Sequence, residues 1–466
     1  MLYPLEKEDV ISIESKTLRL GIGQESSAIR SVTLKEFLDD SKKNPLHISG
    51  NFPLVSTRIG EKPLSFSVVS TKNRQLTLSA EDEKKNLYTI SYAVIDDSYT
   101  VRVNISQNAP VDTEQSNEPN VSVVETWVKS DKIANRYNML EVFSAVNNGG
   151  EQYAYKKYHV PSRNIKNVPR GTSIISLSER YFCESIKPLS KDTEIKILPS
   201  PDGVAATSIS YPRASANDLK WQFDVYFGPR DYFYLRGNGF EKAIPIGVIG
   251  QIGLIMLMVL GWIGQAVHNY GVAIILFSIL ITVSMSPLTV INFRSMRRLQ
   301  EVKPHVDRIM EKHKKDQMKA NQEIFALYRE KKINPLSGCL PMLLQMPILI
   351  ALFQAMSHFI QLRGKTFLWI RDLSLPDRAI HIPVTLPIIG ADINVLPVIM
   401  AGAMYLQTKM SQSGQPSDQS NPTAKMMSGP FMPILFCLMF YNFPAGLVLY
   451  WLTNSLMSLA VYQMVK

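Results

Sequence analysis

Ser278, Thr282, Met285 and Thr289 recur at spacings of four, three and four within residues 243–293, a stretch with no Asp, Glu, Lys or Arg. On an α-helix this spacing places all four on one stripe, with Ser286 beside it. A second stripe, Trp451, Asn454, Ser455 and Ser458, lies in the charge-free run 426–465. Gln345 and its neighbour Met346 follow Pro341 in a third charge-free run, 333–362. Hydroxyls and primary amides are poor proton-transfer groups at neutral pH but good hydrogen-bond partners. In a segment surrounded by hydrocarbon, they could stabilise a polar group where water is absent. Ser and Thr also bond back to their own helix, so each hydroxyl alone has a purely local explanation. Gln345 and Asn454 are the stronger candidates, because an amide left in lipid has several unmade hydrogen bonds. The methionines, 20 in all, suit adaptable contact with varied apolar surfaces, and core filling explains them equally well.

Other chemistries lack their residues. The sequence has no Cys/His cluster with zinc spacing, no phosphate-binding glycine loop and no nucleophile elbow. Cys183, Cys339 and Cys437 are too few for a disulfide-built scaffold. His358 follows Ser357 directly, and adjacent helical positions point about 100° apart, so the two cannot act as a nucleophile and its base. The expectation is a protein that is not an enzyme and needs neither cofactor nor metal. A secondary transporter also places polar groups inside a bundle, but no candidate span holds a carboxylate for ion coupling. A structural translocase subunit stays open as a third reading.

Holding such stripes in a bilayer takes helices of about 20 apolar residues. The charge-free runs offer spans at about 270–291, 340–361, 393–407, 428–443 and 445–465, the last two divided by the turn-forming Asn442-Phe443-Pro444-Ala445-Gly446. The segment 246–268 is also long and uncharged, yet five glycines cut it, and composition leaves open whether it spans or lies in the interface. Between the first two spans, Met296, Leu299, Val302, Val306, Ile309 and Met310 mark one helical face. Ile324, Leu327 and Tyr328 mark another, with a charged link at Glu311–Lys319. This is a helical hairpin over 292–334.

Charge orients the bundle. Residues 1–242 hold 31 basic and 30 acidic side chains, whereas 243–466 hold 19 and 10. Arg294–Lys332 alone carries 12 basic residues against 6 acidic ones, among them Arg294, Arg297, Arg298, Lys303, Arg308, Lys312, Lys314, Lys315 and Lys319. The positive-inside rule puts this hairpin in the cytoplasm, where it could also meet a ribosome; the basic pI therefore does not indicate DNA. Before residue 228 the pattern changes to short alternating or β-branched runs: Thr17–Ile22, Leu76–Ser79, Tyr88–Ile95, Tyr99–Ile105, Val121–Val128, Glu194–Leu198, Ala206–Tyr211 and Trp221–Phe227. These predict an all-β antiparallel sandwich with an exposed loop at Asp112–Asn120. The fold class is thus a multi-domain membrane protein: a β-sandwich at 1–228, a linker at 229–269 and an α-helical five-span core at 270–466.

Four segments occur in a telling order: Ser286-Pro287-Leu288-Thr289, the basic hairpin, Asn334-Pro335-Leu336-Ser337-Gly338-Cys339-Leu340-Pro341-Met342-Leu343-Leu344-Gln345-Met346-Pro347, and Phe443-Pro444-Ala445-Gly446-Leu447-Val448-Leu449-Tyr450-Trp451. Together they resemble the YidC family of membrane protein insertases over roughly residues 218–466, with Phe227-Gly228-Pro229 at the junction. The resemblance implies the Gram-negative form, with a periplasmic sandwich, a multi-pass inner-membrane core and an amphipathic helix on the periplasmic face at 246–268. It further implies a polar groove that inserts and helps fold nascent membrane proteins without nucleotide hydrolysis, alone or beside a Sec-type translocon. Two departures stand out. The residues at Met1–Lys7 show no signal-anchor helix, so a truncated or misplaced start is expected. The family's arginine, five residues before the proline that ends the first core span, is replaced by Thr282.

Overall fold

The computed structural model describes residues 4–465 except 40, 60–62, 84, 109–120, 129–139, 148–152, 161–162, 189–192, 201–203, 212–219, 314–315, 332–339, 387–389 and 413–429. The loop expected at Asp112–Asn120, Cys339, Lys314 and Lys315 lie outside these. The chain divides into two compact units, Met1–Pro245 and Ile246–Lys466.

The first unit is a sandwich of two antiparallel nine-stranded sheets. One contains β1 (Val10–Glu14), β2 (Leu18–Gly23), β3 (Ile29–Leu38), β5 (Val55–Ile59), β10 (Val121–Val128), β17 (Val204–Tyr211), β16 (Glu194–Ile197) and β13 (Lys166–Asn167), with β4 (Pro45–Ser49) on β3. The other runs β12 (Tyr153–His159), β11 (Glu141–Asn147), β14 (Thr172–Ser178), β15 (Phe182–Pro188), β18 (Lys220–Pro229), β9 (Thr100–Asn108), β8 (Leu87–Val94), β7 (Gln75–Glu81) and β6 (Ser67–Lys72). Alternation drives the pleat: Tyr88, Ile90, Tyr92 and Val94 of β8 are buried while the residues between them are partly exposed. All eight runs read from the sequence are strands here.

The strands that alternation does not reveal are buried on both faces. Phe182, Cys183, Glu184, Ser185 and Ile186 of β15 are all buried. A short helix, α1 (Tyr232–Gly237), and a 3-10 turn at Glu241–Ala243 pack on this sheet, against β18 and against β11 and β14 respectively. Asn238 pins them: its Oδ1 accepts from Tyr99 N at 2.9 Å and its Nδ2 donates to Tyr234 O at 2.7 Å. Two acids lie in the sandwich core. Glu125 of β10 and Glu184 of β15 are fully buried, and none of their four carboxyl oxygens has a hydrogen-bond partner among the described residues. Burial raises both pKa values, and the neighbouring Glu125 charge adds to the rise for Glu184.

The second unit is helical: α2 (Val248–Val267), α3 (Tyr270–Lys312), α4 (Gln317–Glu330), α5 (Leu340–Ser357), α6 (Val395–Gln412), α7 (Phe431–Phe440) and α8 (Ala445–Val465), with a β-ribbon of β19 (Ile380–Leu386) and β20 (Gly390–Ile393) before α6. Among the described residues, the stretches Val248–Val267, Tyr270–Pro287 and Ala445–Met464 are long and apolar enough to cross a membrane, while Gln345–Ser357 and Phe431–Phe440 are shorter apolar helices. Their shared core includes Leu260, Ile274, Phe277, Leu352, Met400, Phe440 and Leu447. Glycines set the closest approaches. A Cβ on Gly253 of α2 would stand 2.9 Å from Ala351 O of α5, and one on Gly446 of α8 would stand 3.2 Å from Leu373 O.

The hairpin differs from its sequence reading at both ends. The first span does not stop at Pro287; α3 continues through Pro287 and Pro304 for 43 residues, about 65 Å at 1.5 Å per residue, roughly twice a hydrocarbon core. Both helices extend into the expected link Glu311–Lys319: α3 runs to Lys312 and α4 starts at Gln317, where Asp316 caps it by accepting from Lys319 N at 3.1 Å. Val302, Val306 and Ile324 are buried between α3 and α4, with Ile309, Met310, Leu327 and Tyr328 packed around them.

Candidate functional site: a polar seam inside the helical unit

Helix α8 organises the site because it packs on α3, α5 and α6. The Thr282 hydroxyl of α3 lies 2.8 Å from Ser278 O and 2.9 Å from Asn454 Oδ1 of α8. One proton therefore serves two acceptors, and Asn454 Nδ2 donates to nothing among the described residues. Ser278 bonds back to Ile274 O at 2.7 Å. Ser278, Thr282 and Ser455 are buried and Asn454 is half-buried. A turn further toward the start of α8, Gln345 Nε2 of α5 donates to the Tyr450 hydroxyl at 3.1 Å, and the Tyr450 ring stands 6.2 Å from Phe277. Tyr450, which sequence reasoning left out of the site, thus joins α5 to α8 and lies against α3. Its place in a motif that also holds Trp451 was the available signal.

The rest of the proposed lining divides. Trp451 faces α6 and α7: its ring stacks on Phe436 at 5.7 Å and lies 5.6 Å from Phe440, and its Nε1 donates to Met404 Sδ at 3.2 Å. Positions 451 and 454 are about 60° apart around a helix, enough for one stripe to straddle two neighbours. Met285, Ser286 and Ser458 are half-buried, and Met346 is exposed. The Thr289 side chain lies outside the described ones. The structure therefore brings Ser278, Thr282 and Asn454 together, places Gln345 on Tyr450 nearby, and turns Trp451 toward an aromatic cluster.

One end of this seam is closed by residues 358–379, which follow α5. Phe359, Ile360, Leu362, Ile370 and Leu373 are buried there. The first backbone N–H groups of α8 find carbonyls in this segment, Ala445 N to Leu375 O and Gly446 N to Leu373 O, both at 2.8 Å. Asp377 serves α6 in the same way, accepting from Val395 N and Leu396 N at 2.9 Å and from Trp369 Nε1 at 3.2 Å. Asn394 accepts from Arg378 N and donates to Tyr441 O. The helix starts are thus satisfied by remote groups that no local capping pattern announces.

Of the hairpin's basic residues, Arg298, Arg308, Lys312 and Lys319 are exposed. Lys312 pairs with Glu323 at 3.4 Å and Lys319 with Asp316 at 3.6 Å. The side chains of Arg294, Arg297 and Lys303 lie outside the described ones.

Comparison with known proteins places this arrangement. The family model described as 60Kd inner membrane protein matches residues 262–466. The membrane protein insertase YidC of Geotalea daltonii is 31% identical over 327 residues, covering 69% of this chain and 58% of that protein. That of Chlorobaculum parvum is 28% identical over 490 residues, covering 97% and 81%. The chain spans about half the length of several curated relatives, 46% for that of Geobacter metallireducens. A crystal structure of an active YidC insertase with its first transmembrane domain resolved aligns over 99% of this chain and 93% of that one, at 17% identity and a TM-score of 0.43. The match through the region that carries the seam, the hairpin and the quoted motifs shows that the chain belongs to the YidC family.

Proposed function

We propose that this protein is a membrane protein insertase and folding chaperone of the inner membrane, and that the α3–α8 seam receives the polar part of a membrane protein on its way through the bilayer. The observation that carries the reading is the Thr282–Asn454 pair, one hydroxyl proton shared between two acceptors in an apolar bundle. A charged residue placed in hydrocarbon costs roughly 2.5–3.5 kcal/mol on insertion scales. Groups that exchange hydrogen bonds partway lower that barrier without consuming nucleotide, since the substrate ends with its own apolar helix in lipid. The closed end made by residues 358–379 supports one-sided access. In this reading the core crosses five times, the hairpin is cytoplasmic, the sandwich is periplasmic and α2 lies in the outer interface. A ribosome or a Sec-type translocon would deliver the chain at the hairpin.

Thr282 makes the seam neutral where the family pattern has arginine. Arg294 begins about 18 Å further along the helix and cannot replace it. The seam therefore suits weakly charged translocated segments. Purified protein in liposomes is expected to insert a small single-span protein with a neutral tail in the absence of nucleotide, and Thr282→Arg is expected to shift the preference toward acidic tails. Failure to insert any such protein, alongside substrate-driven ion flux, would favour a transporter.

A further inference from the structure

Residues 367–370 form a tight turn in which Phe367 N donates to Ile370 O at 2.9 Å and Ile370 N to Phe367 O at 2.8 Å. At its tip, Leu368 has a φ of 50° and is 74% exposed, and Trp369 beside it is 42% exposed. A branched apolar residue at positive φ is strained, and one held there in the open gains nothing from packing that would offset the strain. The base of the turn, by contrast, is fixed. Ile370 is buried, the Phe367 ring occupies the space a side chain on Gly271 would need, and Asp377 holds the Trp369 indole.

Its surroundings identify what it meets. Arg363, Lys365, Arg371 and Arg378 lie within 16 residues of chain that hold two acids, Asp372 and Asp377, and Arg378 pairs with a third, Asp392, at 3.6 Å. Asp372 and Asp377 accept backbone N–H bonds, from Ser374 and from the start of α6. The turn lies at the end of the bundle where α3, α6 and α8 begin. Trp262 of α2, 72% exposed, belongs to the same end, since its neighbour Gly261 approaches Gln361 and Phe359. Exposed indoles level with helix ends and surrounded by cations match the headgroup boundary of a phospholipid bilayer. We infer that the Leu368–Trp369 turn is a lipid anchor, inserted at the interface between headgroups and acyl chains, which holds the closed end of the seam at a fixed depth.

This rests on membrane embedding of residues 246–466, not on insertase activity. The test is tryptophan quenching of the full chain in phosphatidylcholine–phosphatidylglycerol vesicles carrying bromines at defined acyl depths. The Trp369 signal is the difference between the native chain and Trp369→Phe, and a Leu456→Trp chain adds a probe on the outward face of α8. Deep bromines quench the probe at 456 and shallow bromines quench Trp369. Leu368→Gly, which accepts the positive φ without strain, loses the shallow quenching while the 456 probe is unchanged. Trp369 quenched by aqueous iodide equally in micelles and vesicles, with the 456 probe deep, would overturn the anchor alone. A 456 probe untouched at every depth would overturn embedding as well. Protection of Trp369 that disappears on diluting protein in lipid would assign the turn to a second copy and likewise overturn the anchor.

Discussion

Removing the Thr282 hydroxyl isolates the seam's energetic role. Thr282→Val keeps the side-chain shape and takes away the one proton offered to Asn454 Oδ1 at 2.9 Å, leaving that half-buried oxygen without its partner among the described residues. Asn454→Leu removes the other partner, and the Thr282 hydroxyl then keeps its bond to Ser278 O. Interhelical hydrogen bonds in membrane proteins average about 0.6 kcal/mol and reach about 1.7 kcal/mol in double-mutant cycles. Here one proton is divided between two acceptors, so the coupling belongs near the lower figure. The single Thr282→Val cost, in contrast, includes an orphaned amide oxygen and should reach about 1–3 kcal/mol. The assay is unfolding in mixed micelles by titration with a denaturing detergent, followed by helicity, for the native chain, both single variants and the double variant. The double variant is expected to be less destabilised than the sum of the singles by about 0.6 kcal/mol. Strict additivity would show that the two helices are not joined through this pair.

Four further outcomes are expected. Gly253→Leu places a Cβ 2.9 Å from Ala351 O and 3.0 Å from Ala355 Cβ, and the overpacking should cost about 1–3 kcal/mol in the same titration. Gly402→Ala, which meets nothing within 4 Å, should cost nothing by that measure. Asp377→Ala strips the remote cap from α6 and should destabilise by about 0.5–2 kcal/mol, read as faster hydrogen exchange at Val395 and Leu396. Glu125 and Glu184 have folded-state pKa values raised above 4.5, so the folded sandwich binds more protons than the unfolded chain. Its stability is full below the unfolded value and falls as pH rises above it, until the folded value is reached. Urea-dependent labelling of the buried Cys183 thiol, normalised to the unfolded chain, should show that loss as pH is raised above about 5. Glu125→Gln with Glu184→Gln should flatten it.

The sequence made the two-unit organisation legible because charge and apolar runs separate cleanly at about residue 243. Strands with one solvated face, such as β8, were readable from alternation, whereas β15 was not, since α1 and the 3-10 turn pack on its sheet. In the site, helical spacing put Ser278 and Thr282 on one stripe and Asn454 on another, and Thr282 and Asn454 meet. It could not show that Trp451 turns to α6 and α7, because a stripe about 60° wide reaches more than one neighbour. Tyr450, Asp377 and Asn394 were invisible for a different reason. Their roles depend on partners 105, 18 and 47 residues away, and no local pattern encodes such pairings.

In the proposed function a translocating polar segment meets the α3–α8 seam. Position 282 bearing a small diazirine side chain, with the same group at outward-facing Leu456 for comparison, tests it during synthesis of a single-span membrane protein. Light is expected to join position 282 to the nascent chain and position 456 to lipid. Capture at 282 of only lipid or the protein's own α8 would contradict it.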